Sequence, residues 1–524
     1  MKTSVPLLLL LGLCSMAHSA KILGIFPMTS HSHFILGHEL FEGLAKKGHD
    51  VTFISAYDKN TTYKNIYLDG IHEEIEKMQR EKQQTENPSI NEMRNISPYV
   101  MFMWMGEMML AQNELIFKHP KVQALMKKEK FDVVVLEQFM NDALKGFCVH
   151  FNARCVAFST IGASAMSNYV VSNPSNPSYI PNLFLSYSSD MTFFQRMHNA
   201  FFTVFVNTVN KYMHIPKQEA LMRKYFPATP DIPTIIQSNV DLLFLNSHPS
   251  VNDPVPTVPQ MIHVGGIHIN PKQDKVPADV KKFLDDATEG VVYFSLGSNV
   301  KSKDLPEEKV QSILRALSKL KMKVLWKYED DKLEGKPKNV MIQNWMPQQE
   351  ILSHPNVKVF LTHGGLLSSM EAIYFGVPLI GVPFFGDQMA NMKMHVKNGF
   401  ALQIDFDDLN EASLTETFDT ITKNPRFAKI AKRRSKMMRD STMKPLDLAI
   451  FWVEYLLRNS DAQFLRTAAT DMPIYKYFLL DVVAFLALVA LIPPIILYKC
   501  IKCRKSCVKG EKCCKAKRNK SKKE

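Results

Sequence analysis

Short continuous apolar runs, each closed by small or polar residues and followed by a longer amphipathic stretch, recur along most of this chain. In the first half they are KILGIFPM from Lys21, DVTFISA from Asp50, FDVVVLE from Phe131, RCVAFST from Arg154 and DLLFLNS from Asp241. In the second half they are VVYFSLGS from Val291, KVLWKY from Lys323, VMIQNW from Val340, VKVFLTHGG from Val357 and PLIGVPF from Pro378. Runs without polar alternation predict strands buried on both faces, and the helical patterns between them predict crossovers. Each half is thus expected to be an α/β domain with a doubly wound parallel sheet. A Pro-rich stretch, HPSVNDPVPTVP from His248, parts the two sets.

The ends depart from this pattern. MKTSVPLLLLLGLCSMAHSA joins a basic start, an apolar run and a small-residue site, which predicts a secretory signal cleaved after Ser19 or Ala20. Tyr477 to Tyr498 is an apolar run of 22 residues, interrupted by Asp481 and Pro493-Pro494, long enough to span a bilayer and edged by aromatic residues. The organisation predicted is a signal peptide (1–20), an N-terminal domain (21–248), a linker (249–270), a C-terminal domain (271–445), a return helix and pre-membrane segment (446–475), one transmembrane helix (476–498) and a tail (499–524).

Charge bears on topology more than on partners. The tail holds twelve Lys or Arg against two Glu, so +10 of the chain's formal +13 lies there. The positive-inside rule makes that tail cytoplasmic and the domains lumenal, and the nearly neutral body argues against nucleic acid as a partner. The terminus KSKKE is similar to the dilysine retrieval signals of endoplasmic reticulum membrane proteins and equally suits a solvated, lipid-attracted tail; together with the single span, a type I protein of the endoplasmic reticulum membrane is expected. Asn60-Thr-Thr and Asn95-Ile-Ser are lumenal glycosylation sequons, and Asn519-Lys-Ser lies on the other side. Of eight cysteines, Cys14 leaves with the signal and Cys500, Cys503, Cys507, Cys513 and Cys514 lie in the tail. Only Cys148 and Cys155 remain in the body, too few for a disulfide framework.

The densest chemistry lies in Trp345 to Gln388. VKVFLTHGG followed by LLSSMEAIYFG predicts a strand, a tight turn and a helix ending at Gly376. Gly364 and Gly365 would let the backbone approach a bulky anion, and the helix starting there would aim free N–H groups and its positive dipole end at a diphosphate without a metal. Glu371, two helical turns in, could accept a pair of ribose hydroxyls. Asp387 and Gln388 end the next buried run with two hydroxyl-binding side chains, at the end of a parallel strand where ligands bind. No GxGxxG follows the first strand, so a dinucleotide dehydrogenase lacks its fingerprint.

This stretch resembles the signature of the UDP-glucuronosyl/UDP-glucosyltransferase family, and the anchor and tail look like those of its insect members. The resemblance implies two Rossmann-like domains in the GT-B glycosyltransferase arrangement plus the C-terminal span, with acceptor bound by the first domain and UDP-sugar by the second. It further implies that Trp345 stacks on uracil and Gln348 bonds the nucleoside. His363, Gly364 and Gly365 would hold the diphosphate with Ser298 nearby, Lys327 at the rim, Glu371 on the ribose, and Asp387 with Gln388 on the transferred sugar. The asparagine common in vertebrate members two residues after the glycines is Leu367 here.

In related transferases a histidine after the first strand, followed by an aromatic and sixteen residues before the histidine of a Gly-His-Asp turn, is the general base. Those positions are His33, Phe34 and Gly48-His49-Asp50. An acceptor hydroxyl is a poor nucleophile until its proton is taken, and imidazole titrates near neutrality. The family usually places an Asp after the FDVVV-type strand to orient the base. This chain has Glu137 there, with Asp142 as the competitor, and Glu137 is preferred.

The expected function is inverting, metal-independent transfer of a hexose, glucose or else glucuronate, to a hydroxyl of a small lipophilic acceptor. No cofactor is expected, UDP-sugar being a co-substrate. Transfer to a membrane lipid, and a transfer-inactive ligand-binding protein, are the alternatives. The Met-, Phe- and Tyr-rich region from Ile161 to His214 would line the acceptor pocket, form ordinary helix core or lie against the membrane. Acceptor identity and oligomeric state, homo- or hetero-oligomeric, stay open.

Overall fold

The computed structural model describes residues 19–83, 94–270, 275–298, 300–459 and 463–508. The predicted signal up to residue 18 and the tail from residue 509, with Cys513, Cys514 and Asn519, lie outside them. The chain divides into two compact units, through Arg466 and from Thr467.

The first unit contains two parallel sheets. One comprises β1 (Lys21–Phe26), β2 (Asp50–Ser55), β3 (Lys64–Tyr67), β4 (Val133–Glu137), β5 (Arg154–Ser159), β6 (Val240–Leu245) and β7 (Met261–His263), in the order β3-β2-β1-β4-β5-β6-β7. The other comprises β8 (Val291–Ser295), β9 (Lys323–Lys327), β10 (Val340–Gln343), β11 (Val357–Thr362), β12 (Leu379–Gly381) and β13 (Ala401–Gln403), in the order β10-β9-β8-β11-β12-β13. Register places Ile22–Ile25 of β1 between Val51–Ile54 of β2 and Val133–Leu136 of β4.

Side-chain alternation explains the unbroken apolar runs. Ile22, Phe26, Val133, Val135 and Phe158 face one way, against Leu40, Phe41 and Leu44 of helix His31–Lys46 and Ile450 and Val453 of helix Pro445–Arg458. Leu23, Ile25, Val134 and Leu136 face the other way, against Ile116, Phe117, Phe147 and Met222. Both faces being covered, neither needs a polar side chain. Gly24 lets Phe41 settle onto the sheet, since a Cβ there would lie 2.2 Å from the ring. Truncating a ring this buried, as in Phe41→Ala, costs about 3–5 kcal/mol. In the second sheet Trp326 stacks on Phe294 at 4.6 Å and donates through Nε1 to Ser302 Oγ at 3.0 Å.

Two expectations need correction. The segment 249–270 is more than a linker, because Met261–His263 pairs with β6 as the edge strand of the first sheet. Cys148 and Cys155, too few for a framework, still form one disulfide with Cα atoms 5.5 Å apart, which joins the helix Gly146–His150 to the start of β5. The apolar helix of the second unit begins at Leu480, not 476, and continues past 498 to Val508 with Pro493 and Pro494 inside it. Leu479 takes a left-handed conformation (φ 53°) and parts it from the short helix Ile474–Tyr477. Leu480–Lys505 is long and apolar enough to cross a membrane.

Candidate active site

Each sheet reverses its strand order at one point, between β1 and β4 in the first and between β8 and β11 in the second. Ligands of open parallel sheets bind outside the carboxyl ends of strands at such points. His33 follows β1, Glu137 ends β4, Ser298 follows β8, Lys327 ends β9 and His363 follows β11. One cleft of about 480 Å³ is lined by His33 from the first half and by Ser298, Lys327, Trp345, Gln348, His363, Gly365, Glu371, Asp387 and Gln388 from the second. Gly364, Glu137 and Asp142 are not among the residues that line it.

Glu137 is buried and its Oε1 meets Nδ1 of His33, while Thr160 Oγ1 lies 3.1 Å from the same nitrogen. An ionised carboxylate can only accept, so Nδ1 is the donor in this contact, and Nε2 is the ring nitrogen left for another partner. Phe139 packs edge-on against the imidazole at 5.2 Å. Asp142, the competing partner, is engaged elsewhere, which corrects its place among the candidate catalytic groups. It sits in the turn Asp142–Lys145, where its Oδ1 takes Nζ of the buried Lys145, the Tyr169 hydroxyl and Gln138 Nε2. The buried cation claims that carboxylate.

On the opposite side the glycines have a definite use. Cβ atoms at Gly297 and Gly365 would each lie 2.5 Å from the imidazole of His363, so the ring fits only because both are absent. Gly364 and Gly297 also take positive φ, 82° and 83°, which suits residues without a Cβ. Burial, with the charge of Lys327 second, pushes the His363 pKa down to about 4, so the ring is neutral at physiological pH. Gly365 caps helix Leu366–Phe375 without a side-chain hydrogen bond, leaving the first N–H groups turned toward the cleft. Lys327 Nζ is held 2.6 Å from Gly297 O and 3.1 Å from Glu329 Oε1, and lies 5.7 Å from the Trp345 ring centroid. Trp345 is 64% exposed, and His31 from the first half meets its ring at 6.0 Å.

Glu371 accepts from Gln348 Nε2 at Oε2 and from Gln349 Nε2 at Oε1, 3.3 Å, with His268 Nε2 3.4 Å away. His268 and Gln349 escaped the sequence reading. Gln349 had a signal, its place beside Gln348, whereas His268 had none, being brought to Glu371 only by the fold. Asp387 Oδ2 accepts from Asn391 Nδ2 at 2.7 Å, and desolvation raises the Asp387 pKa although that hydrogen bond pulls it the other way. Gln388 Oε1 accepts from Phe384 N at 2.8 Å, which fixes the side chain and leaves its amide nitrogen available. Leu367 lines the cleft as well. Among the described residues no group of three or more His, Cys, Asp and Glu stands where it could hold a metal ion.

The chain is similar to known proteins in sequence and in fold. The family profile described as "UDP-glucoronosyl and UDP-glucosyl transferase" matches residues 20–515. The UDP-glycosyltransferase UGT5 of Dactylopius coccus is 36% identical over 513 residues, 94% of each chain. The UDP-glucosyltransferase 2 of the same organism is 34% identical over 478 residues, 90% of this chain and 91% of that one. Among solved structures, the spinosyn forosaminyltransferase SpnP superposes with a TM-score of 0.57 at 17% identity, covering 84% of this chain and all of that one, a likeness of fold.

Proposed function

Because the chain belongs to the UDP-glucuronosyl and UDP-glucosyl transferase family, and so is a GT-B enzyme that moves sugar from a UDP-sugar, we propose that it glycosylates a hydroxyl of a small lipophilic acceptor with inversion. The carrying observation is that His33, braced by Glu137 on one sheet, borders the same cleft as Asp387, Gln388 and His363 on the other.

In this reading Nε2 of His33 takes the acceptor proton as the hydroxyl oxygen attacks the anomeric carbon. The bond to the diphosphate breaks on the opposite face, and Glu137 stabilises the imidazolium formed. Charge gathering on UDP meets the N–H groups that open helix Leu366–Phe375, the neutral ring of His363 and the ammonium of Lys327. Trp345 carries the uracil, with Gln348 beside it, and Glu371 the ribose. Asp387 and Gln388 orient the sugar hydroxyls. The reaction uses no cofactor, and the chain's own groups supply the positive field.

Glucose is the favoured hexose, with glucuronate the alternative. A carboxylate at Asp387 accepts from sugar hydroxyls but repels the carboxylate of a uronate, and a relative bears the name UDP-glucosyltransferase. Met28, Met105, Phe139, Met166, Leu183 and Phe184 line the remaining wall and suit a lipophilic acceptor. Leu367, in place of a hydrogen-bonding asparagine, favours the second reading, a ligand-binding protein that no longer transfers.

We place the domains in the lumen of the endoplasmic reticulum on a single type I span. The Leu480–Lys505 helix, the Cys148–Cys155 disulfide and the exposed sequon residues Asn60 and Asn95 support this.

Microsomes containing the protein, offered UDP-glucose and UDP-glucuronate in parallel with a panel of phenols and terpenoid alcohols, test the reading. Transfer from UDP-glucose, lost in His33→Ala while UDP still binds, is the expected result. Full activity in His33→Ala would overturn the proposed base; UDP binding without transfer from either donor would favour the silent ligand-binding protein.

A further inference from the structure

His31 belongs to the first half but faces the nucleoside end of the second. It opens helix His31–Lys46, two residues before His33. Three aromatic rings seat its imidazole: Phe34 at 6.1 Å, Tyr57 at 5.7 Å and, from the other half, Trp345 at 6.0 Å. The side chain is half-buried and lines the same cleft as Trp345 and Glu371. Among the described residues none hydrogen-bonds to its ring nitrogens, so both are open to a ligand.

Lys59 brings a charge to the same place. Its Nζ lies 2.9 Å from Nε2 of His38, whose Nδ1 is 2.7 Å from the Tyr63 hydroxyl, and these contacts hold the ammonium on the cleft wall. Burial, then the charge of Lys59, lowers the His31 pKa, with Glu371 raising it and Lys327 lowering it further. The imidazole therefore stands within reach of the ribose carboxylate and the rim lysine together. That is the nucleoside end, away from the apolar wall of Met105, Phe139 and Met166.

We infer that His31 and Lys59 read the nucleobase of the donor, so that the first half takes part in selecting UDP. The inference rests on the reading that Trp345 carries the base of a UDP-sugar. Uracil presents two carbonyl oxygens along its edge, and an imidazole N–H or an ammonium can donate to either. Cytosine carries an amino group in place of one of them, and a donor facing an ammonium finds no acceptor. An apolar ring would cover Trp345 equally well; an imidazole with open nitrogens beside a cation makes a polar edge instead. Only Ser32 separates His31 from His33, so a uracil held by His31 ties the donor to the helical turn that presents the proton acceptor.

Calorimetric titration of the full-length protein in detergent with UDP and with CDP tests the inference. His31→Ala and Lys59→Met should each weaken UDP binding by about tenfold and narrow the preference for UDP over CDP, while His31→Gln, which keeps a donor, retains most of both. The two positions lie on different elements, so misfolding of one variant, seen in its thermal midpoint, leaves the other to decide. Trp345→Ala is the reference for loss of the base platform. Unaltered UDP affinity and UDP-to-CDP ratio in His31→Ala and Lys59→Met, with binding impaired in Trp345→Ala, overturn the inference and leave the nucleoside site standing. Unaltered binding in all three, or no UDP binding by the parent protein, overturns the reading on which it rests. Tighter UDP binding in His31→Ala means that the imidazole fills the place of the base, and overturns the inference as well.

Discussion

Glu137 meets His33 through one carboxylate oxygen and keeps the other, Oε2, buried without a hydrogen-bond partner. The parallel pairing of β4 with β1 creates this contact, because both residues leave neighbouring strand ends. Glu137→Gln keeps the shape and removes the charge that favours a protonated imidazole, so kcat should fall by about 10²–10⁴-fold with UDP affinity unchanged. Glu137→Asp should also lose activity, since the shorter arm draws back from Nδ1. Asp142→Asn should behave differently: it strands the buried Lys145 and should lower stability by about 3–5 kcal/mol. Turnover and thermal unfolding of the three variants separate the roles, and equal loss of turnover without destabilisation in Asp142→Asn would reverse the assignment.

Gly365→Ala tests the seat of the proposed diphosphate site. The backbone there is ordinary, φ −62°, so the only conflict is the added methyl 2.5 Å from the His363 ring. Overpacking of this kind costs about 1–3 kcal/mol, which, borne by the bound state, weakens UDP binding by about 5- to 150-fold. Calorimetric titration with UDP measures it; undiminished affinity would show that the ring does not hold the ligand.

Acid should destabilise the protein well above the carboxylate range. Burial holds the pKa of His38 and His363 at about 4 and that of His395 at about 3, with the charges of Lys59, Lys327 and Arg434 adding to the effect. An unfolded histidine titrates near 6.5. Below that pH the unfolded chain takes up protons that the folded rings refuse, so stability falls as pH drops from about 6.5 and levels off near 4 for His38 and His363 and near 3 for His395, by up to about 3 kcal/mol for each of the first two and about 5 kcal/mol for the last. Thermal midpoints of the full-length protein in detergent at pH 7.5 and pH 5 should show the drop, and identical midpoints would refute neutral burial.

The Cys148–Cys155 disulfide closes a loop with a sequence separation of 7. Chain entropy assigns such a small loop about 2–3 kcal/mol of stabilisation. Replacing both cysteines with serine should therefore lower the thermal midpoint by a few degrees while leaving kcat intact below it, because neither sulfur borders the cleft. A loss of turnover at low temperature would instead mean that the loop positions Glu137.

The long strands were legible because buried parallel strands are apolar on both faces, as in FDVVVLE and VKVFLTHGG. The strands left unassigned, β3, β7 and β13, are edge strands of three or four residues, and a fragment such as KNIY carries little hydrophobic signal. The glycines and His363 could be picked out by spacing, but the packing of the ring between Gly297 and Gly365 could not, since it joins residues from different crossovers. The fate of Asp142 turned on Lys145, whose burial nothing nearby announces. Aromatic residues on every side of helix Phe193–Val209 likewise concealed which face meets the core.

Helix Pro445–Arg458 follows the second sheet in sequence but packs with the first: Leu446 and Ile450 come within 3.0 Å of where a Cβ on Gly43 would stand. Gly43 lies on the helix that begins at His31 and carries His33. The two halves are therefore not interchangeable cassettes. A chimera that takes its first half from a relative must bring that relative's own 445–458 segment with it, or the helix bearing His33 inherits a mismatched cover. Exchange of acceptor range between family members is thus constrained at a place more than four hundred residues along the chain from the histidine it affects.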